Sequence, residues 1–245
     1  MMHAFLWGLL ATSSLVLGGL IATRFALGKK TLGWIMGFGS GALISAVAYE
    51  LTYEAVSISK GSGFPGFGFF AGALTFFFSD MLIEKIGVKN RKGVSTAHKS
   101  NLVVPMVLAI ILDGIPESIV IGLGIYEHGT VSMAMLVAVF ISNLPEAIAS
   151  TTGMKAGGWS RNRIILFWLA ISLICALASV AGYRFFSGAS EEWLSFILAF
   201  AGGAILMMLS NTMIPESYEH GKKLAGVFTV LGFAVSVCVV ILENL

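Results

Sequence analysis

Long apolar runs recur along the whole chain, and their length constrains the fold more than any other feature. About 20 apolar residues in a helix cross the hydrocarbon core of a bilayer. Only a helix of this kind satisfies its own backbone hydrogen bonds within one segment there. We count eight such spans, at 4–24, 31–58, 65–87, 102–126, 130–154, 163–186, 193–218 and 223–243. The chain is therefore predicted to be an all-α polytopic membrane protein.

The composition supports this class and argues against a soluble domain. Hydrophobic residues make up 57% of the 245 residues, charged residues 11%, and the mean hydropathy is +0.90. A soluble domain carries about 25% charged residues. We expect a single transmembrane domain over residues 1–245, in which the longest polar connection, 88–101, is a cytosolic loop.

The basic residues predict the orientation. With eight spans both termini lie on one side, and 13 of the 15 Lys and Arg residues then fall in connections on the other side. Lys60 and Arg184 are the two exceptions. Cytoplasmic loops carry the excess of positive charge, so both termini are predicted to lie outside the cell membrane.

A repeat relates the second and seventh spans. The stretch from Phe38 to Ala55 aligns with the stretch from Phe200 to Ser217 at a constant offset of 162, so that Gly41 corresponds to Gly203. These two spans cross in opposite directions, which is typical of the inverted repeats of transporters. The spans therefore divide as three, two and three. Gly33, Gly37 and Gly41 also form a small-xxx-small pattern, which favours close helix packing.

Acidic residues interrupt the fourth and fifth spans near mid-depth. Asp113 and Glu117 are one turn apart and share a helix face, as do Asn143 and Glu146, with Ser142 beside them. A carboxylate at the bilayer centre costs about 2.5–3.5 kcal/mol on insertion scales, so these residues are functional candidates. Their oxygen atoms form a ligand set suited to a divalent cation.

Each acidic segment also contains a proline within its helix. Pro116 removes the hydrogen bond to the Leu112 carbonyl, and Pro145 removes the bond to the Ile141 carbonyl. Irregular backbone is tolerated at membrane depth where it lines a cavity. The two antiparallel spans are therefore predicted to bring carboxylates, an amide, a hydroxyl and freed carbonyls toward one point.

The segments "DGIPES" and "SNLPEA" resemble the paired Pro-Glu motifs of the ZIP (Zrt/Irt-like) metal transporters, and "NTMIPES" is similar to the seventh helix of that family. The resemblance implies a ZIP-like fold of eight helices in a 3+2+3 inverted repeat. It also implies that Glu117, Glu146 and Asn143 bind metal, and that Asp113 and Ser142 stand at the two histidine positions of the motifs.

The missing histidines and Gly114, which replaces an asparagine of the first motif, are departures from the family pattern. Zn²⁺ is the substrate by resemblance, but an all-oxygen site favours harder ions such as Mn²⁺, Fe²⁺ or Mg²⁺. At least one metal position is retained through Asp113. The resemblance further implies transport into the cytosol. The expected partners are the metal substrate, the bilayer and a second copy in a homodimer, and we expect no ATP, nucleic acid or resident cofactor.

Other readings stay open. A proton-coupled carrier of a small organic solute could use the same acids, and a relative that only senses metal is conceivable. An intramembrane aspartyl protease is disfavoured, because neither Asp80 nor Asp113 lies in a Gly-x-Gly-Asp setting, and we expect no enzyme. Glu54 and Glu216 correspond under the repeat and either line approaches to the site or are hydrated residues at helix ends. The sequence assigns no role to Glu50.

Overall fold

A computed structural model describes residues 1–85, 103–186 and 188–243. The predicted cytosolic loop at 88–101 lies outside the described residues. Eight long helices occupy the described ranges, and we number them in chain order. They are α1 (Met2–Arg24), α2 (Lys29–Ile58), α3 (Phe64–Lys85), α4 (Val103–His128), α5 (Met133–Ala156), α6 (Arg161–Phe185), α7 (Glu191–Gly221) and α8 (Lys223–Glu243).

The helices correspond one to one to the predicted spans, with ends shifted by a few residues. Within the described part of the chain, seven of them are long and apolar enough to cross a membrane. Three helices begin at a serine that caps the first turn: the hydroxyls of Ser132, Ser160 and Ser190 accept hydrogen bonds from backbone N–H groups three residues on. The polytopic helical class is therefore confirmed.

Two helices contain a π-helical segment, which the sequence did not reveal. The segment in α2 covers Val47–Tyr53 and the segment in α7 covers Leu209–Met213. Their first residues are separated by the same 162 positions as the aligned stretches of the sequence. A π-helical turn inside an α-helix is rare and occurs often at functional sites.

Packing divides the helices into two groups. In the first group, α1 packs extensively against α5 and α6, and α4 packs against α6. In the second group, α3 packs against α7, and α2 packs against α8 and the last segment of α7. The most extensive contact between the groups is made by α2 with α5. Any movement of one group against the other would mainly change this α2–α5 contact.

Glycines set the spacing of helices in the second group. A Cβ atom at any of four glycines would overlap a carbonyl oxygen of the neighbouring helix, so only hydrogen fits there. The four pairs are Gly41 with Thr229, Gly232 with Phe38, Gly203 with Phe69, and Gly72 with Phe200. The first two pairs join α2 to α8, and the other two join α7 to α3. The two sets of contacts correspond to each other. The α7 residues follow their α2 counterparts by 162 positions, and the α8 residues follow their α3 counterparts by 160 positions.

The two ends of the bundle are distinguished by their polar contacts. At the end that holds the start of α1, called here the termini end, Lys60 forms an ion pair with Glu191, and the Glu243 carboxylate accepts hydrogen bonds from the Met133 and Ala134 N–H groups. At the opposite end, Lys155 donates to the Ala22 carbonyl at 2.8 Å. The Glu243 contacts place the end of α8 beside the start of α5.

Candidate metal site between two helices

The predicted acids of α4 are buried in the bundle. Asp113 is 4% exposed and Glu117 is 2% exposed, one helical turn apart. Both carboxylates interact with other groups of the protein. Pro116 lies inside the helix, which continues through it, so the Leu112 carbonyl lacks the hydrogen bond that an N–H at position 116 would donate. This part of α4 thus combines two buried carboxylates with a backbone carbonyl that lacks its helical hydrogen bond.

The corresponding residues of α5 are buried as well. Ser142, Asn143 and Glu146 are 2%, 4% and 3% exposed. The Ser142 hydroxyl donates to the Val139 carbonyl at 3.0 Å, which leaves its oxygen lone pairs available. The Asn143 Nδ2 atom has no hydrogen-bond partner among the described residues. An unsatisfied amide donor is costly in a buried place, so this atom is suited to a hydrogen-bond acceptor such as water.

Close contacts on two sides fix α5 at the level of the candidate site. A Cβ atom on Gly18 of α1 would lie 2.7 Å from the Leu144 carbonyl oxygen and 2.8 Å from the Ala147 Cβ atom. A Cβ atom on Gly39 of α2 would lie 3.0 Å from the Ser142 Cα atom. All three distances are shorter than real Cβ atoms comfortably allow. The backbone that carries Ser142, Asn143 and Glu146 is therefore held between two glycine-bearing helix faces.

The α4 segment is held by α6. A Cβ atom on Gly114 would lie 3.1 Å from the Cys175 sulfur, and a Cβ atom on Gly122 would overlap the Ser179 carbonyl oxygen. The Ser118 hydroxyl donates back to the Gly114 carbonyl at 2.7 Å. Cys175 is buried and forms no disulfide. Sequence reasoning did not place Cys175 beside Gly114, because no local pattern relates residues on different helices.

The structure brings the two motifs into the same interior but does not gather three acids at one point. Helices α4 and α5 contact each other directly, although each packs more extensively on other helices. In the ranges that the structure describes, no three or more His, Cys, Asp or Glu side chains form a group that could hold a metal ion. A cation between the two motifs in this arrangement would need oxygen atoms from serine, asparagine, backbone or water in addition to carboxylates.

Glu54 and Glu216 lie in the terminal segments of α2 and α7. Glu54 is the first residue after the π-helical segment of α2, and Glu216 lies three residues beyond the π-helical segment of α7. Both side chains are half-buried, in contrast to the fully buried acids of the two motifs. The Glu216 carbonyl pairs with the Nδ1 atom of His220 at 2.9 Å. Glu54 and Glu216 therefore lie near opposite ends of the bundle.

A cavity opens near the connection between α4 and α5, at the termini end. Its lining residues come from α2, α4, α5 and α7, and they include Glu50, Val120, Ile121, Gly124, Ser132 and Met135. Glu50 belongs to the π-helical segment of α2. It is a cavity-lining acid that the sequence left without a role. The sequence signal that could have indicated Glu50 is its charge within the apolar span 31–58.

Comparison with known proteins supports a membrane metal transporter. The chain is 28% identical over 224 residues to a protein named "Zinc transporter GufA" from Myxococcus xanthus. The alignment covers 87% of this chain and 87% of that protein. No family model matches the chain. The similarity supports the resemblance to ZIP-type transporters that the Pro-Glu motifs indicate, and it extends over most of the chain.

Proposed function

We propose that the protein transports a divalent metal cation across the membrane into the cytosol, and that the cation passes between α4 and α5. The observation that carries this proposal is the burial of Glu117 and Glu146, at 2% and 3% exposure, on two contacting antiparallel helices within a protein of apolar helices. The similarity to a protein named as a zinc transporter supports the same class of substrate.

The electrostatics of the site favour a cation as the substrate. Buried carboxylates are unfavourable unless they are paired or bind a metal. In the proposed site Glu117 and Glu146 supply negative charge, and Asp113 adds a third carboxylate on the α4 face. A divalent cation would offset this charge, and the low dielectric of the interior would strengthen the attraction.

The proposed ligands are oxygen atoms. Besides the carboxylates of Asp113, Glu117 and Glu146 they are the Ser142 hydroxyl and the Asn143 carbonyl oxygen, and the Leu112 and Ile141 carbonyls are further candidates. Because no histidine takes part, the site should accept Mn²⁺, Fe²⁺ or Mg²⁺ more readily than a histidine-containing site would, with Zn²⁺ also carried. A closer approach of α4 to α5 around the ion would complete the ligand set.

The proposed architecture is a 3+2+3 inverted repeat. It is supported by the matching π-helical segments and by the reciprocal glycine contacts, in which α2 pairs with α8 as α7 pairs with α3. In such transporters two parts of the fold move around a central site. Here the group of α1, α4, α5 and α6 would move against the group of α2, α3, α7 and α8, at the α2–α5 contact. Glu54 and Glu216 would line the two approaches.

The proposed setting is the cell membrane. The distribution of basic residues supports a termini end that lies outside and an opposite end, which carries Lys155, that lies in the cytosol. We further propose a homodimer that uses no ATP. These features follow the resemblance to ZIP-type transporters.

Uptake of a radioactive metal into proteoliposomes tests the proposed function. We expect Glu117→Gln and Glu146→Gln to reduce uptake of ⁶⁵Zn²⁺ and ⁵⁴Mn²⁺ to background, because each removes a charge that the cation requires. Glu192→Gln, an exposed acid at the termini end, is the matched control and should transport normally. Undiminished uptake in both motif variants would refute the site. Uptake blocked by organic solutes but not by competing metals would instead favour an organic-solute carrier.

A further inference from the structure

We propose that the end of the bundle opposite the termini end carries a binding site for the headgroup of an anionic phospholipid. Four exposed lysines form the site and are called here the lysine cluster. They are Lys29 and Lys30 at the start of α2, and Lys222 and Lys223 at the junction of α7 and α8. The inference goes beyond the proposed transport function and does not depend on it.

The two segments that carry the cluster lie side by side. A Cβ atom on Gly33 would lie 2.9 Å from the Gly221 Cα atom, so the start of α2 packs directly on the last residue of α7. The Trp34 Nε1–H group donates to the Gly221 carbonyl at 3.2 Å and joins the same two segments. Two members of the cluster precede Gly33 by about one helical turn, and the other two follow Gly221 directly. All four Cα atoms therefore lie within roughly 8 Å of this contact.

The positive charge of the cluster exceeds the negative charge beside it. Within the described ranges, none of the four ammonium groups forms an ion pair. The last two turns of α7 hold two acids, Glu216 and Glu219, and the first turns of α2 and α8 hold none. The lysines thus add to the partial positive charge at each helix start. No side chain caps the start of α2, so its first backbone N–H groups can also donate to an anion.

The internal repeat indicates which charge the cluster would accept. At the offset of 162, Lys60 corresponds to Lys222, and both have a positive φ, 50° and 54°, which is uncommon for a residue with a side chain. The same offset relates Lys29 to Glu191. At the termini end these two positions hold a cation and an anion, and Lys60 pairs with Glu191. At the opposite end both positions hold lysine, so an anion at the corresponding place would come from outside the chain.

The surroundings of the cluster fit a phospholipid better than a free anion. Lys223 begins a face of α8 on which Val227 and Val230, four and seven residues on, are 52% and 68% exposed. Trp34 stacks on Phe228 of α8 with ring centroids 5.7 Å apart, and tryptophan favours the membrane–water interface. An acyl chain can therefore lie along α8 while its phosphate contacts the lysines. Basic pockets between membrane helices bind anionic headgroups in this way.

Lipid titration of the full-length protein, followed by native mass spectrometry, tests the inference. We expect the parent to bind dioleoyl phosphatidylglycerol in preference to dioleoyl phosphatidylcholine. In the double variant Lys29→Gln with Lys222→Gln, the affinity for phosphatidylglycerol should fall about 30-fold, because each lysine beside an anionic lipid surface contributes about fivefold. Lys85→Gln with Arg161→Gln is the matched control, because it removes two exposed positive charges from the same end but none from the cluster. Its affinity should stay within about twofold of the parent.

A charge reversal tests the argument from the repeat. Lys29→Glu gives the cluster the pair of opposite charges that Lys60 and Glu191 form at the termini end. We expect this variant to lose the preference for phosphatidylglycerol over phosphatidylcholine. Phosphatidylglycerol in mixed micelles should raise the thermal midpoint of the parent, because a ligand that binds the folded protein stabilises it. The midpoint of Lys29→Glu should be the same in both lipids.

The outcomes separate a lipid site from two simpler explanations. Equal losses of affinity in the double variant and its control would refute the site, because the lysines would then act only through the general attraction of positive charge to an anionic surface. Inorganic phosphate that stabilises the parent as much as an equal concentration of phosphatidylglycerol would refute a lipid site in favour of a free-anion site. A parent without preference for phosphatidylglycerol would also refute it. A loss confined to the cluster variants supports the inference, and none of these results depends on metal uptake.

Discussion

Gly39 of α2 lies directly against the backbone of Ser142 of α5. A methyl group at position 39 would be 3.0 Å from the Ser142 Cα atom and 3.2 Å from the Ser142 nitrogen. Because these neighbours are backbone atoms, no side-chain rotation can relieve the contact. The spacing of the two packing groups is therefore set, at the level of the candidate metal site, by a residue without a side chain.

Replacement of Gly39 by alanine should separate α2 from α5. We expect Gly39→Ala to lower the free energy of unfolding by about 1–3 kcal/mol, the usual cost of overpacking, and to reduce metal uptake. Thermal unfolding in detergent and proteoliposome uptake measure the two effects. Gly226→Ala, where a methyl group meets open space, should leave uptake unchanged and should not lower the free energy of unfolding, because alanine is the better helix former. Equal behaviour of the two variants would show that the α2–α5 contact tolerates a methyl group.

Replacement of Pro116 by alanine should restore the helical hydrogen bond to the Leu112 carbonyl. The fold should persist, but that carbonyl would no longer be available beside the metal, and we expect uptake to fall by about 10-fold, as when supporting groups of a metal site are removed. Pro65→Ala is the control, because Pro65 lies in the first turn of α3, where no helical hydrogen bond is lost. Unchanged uptake in Pro116→Ala would remove the freed carbonyl from the mechanism.

The double substitution Asp113→His with Ser142→His should shift metal preference. Imidazole nitrogen suits Zn²⁺ better than Mn²⁺ or Mg²⁺, so the ratio of kcat/KM for Zn²⁺ over Mn²⁺ should rise relative to the parent. A competition assay in proteoliposomes measures this ratio. An unaltered ratio in a double variant that still transports would show that these two positions do not select the metal.

The Glu243 carboxylate should contribute to stability as a cap of α5. It accepts hydrogen bonds from N–H groups in the first turn, which have no partner within the helix. We expect Glu243→Ala to lower the free energy of unfolding by about 1 kcal/mol, as for other lost N-terminal caps. Glu219→Ala, an exposed acid of α7, is the control. A thermal midpoint equal to that of the control would contradict the capping role.

The ion pair between Lys60 and Glu191 should matter little. Its side chains are 75% and 61% exposed, and water and salt weaken the attraction between exposed charges. We expect Lys60→Ala to change the free energy of unfolding by less than about 1 kcal/mol. A larger destabilisation, measured by thermal unfolding at two salt concentrations, would show that the pair fixes the connections at the termini end.

The helices were predictable because the signal that defines them is local. Apolar runs of membrane-spanning length identified the eight helices, and serines mark the starts of three of them. The spacing of Gly33, Gly37 and Gly41 correctly indicated a closely packed face of α2. Their contacts lie on α7 and α8, at Gly221, Ala225 and Thr229. A glycine pattern specifies a face, whereas the neighbour on that face depends on the arrangement of the whole bundle.

The candidate site was predictable in its residues and less so in its geometry. The burial of Asp113, Glu117 and Glu146 follows from acids in the middle of apolar spans, and all three are buried. Their mutual placement depends on the distance between α4 and α5, which side chains on several other helices determine. The π-helical segment that contains Glu50 has no hydropathy signal, because a π-helical turn and an α-helical turn can be formed by equally apolar residues.

The glycine contacts between backbones have a consequence for how such a chain can vary. Where Gly41 or Gly203 faces a carbonyl oxygen of the neighbouring helix, the closest approach of the two helices is set by backbone atoms. Substitutions among the polar residues of α4 and α5, which carry the proposed site, would leave these contacts between other helices unchanged. Relatives of this protein should therefore retain glycine at positions 41 and 203 even where the residues of the proposed site differ.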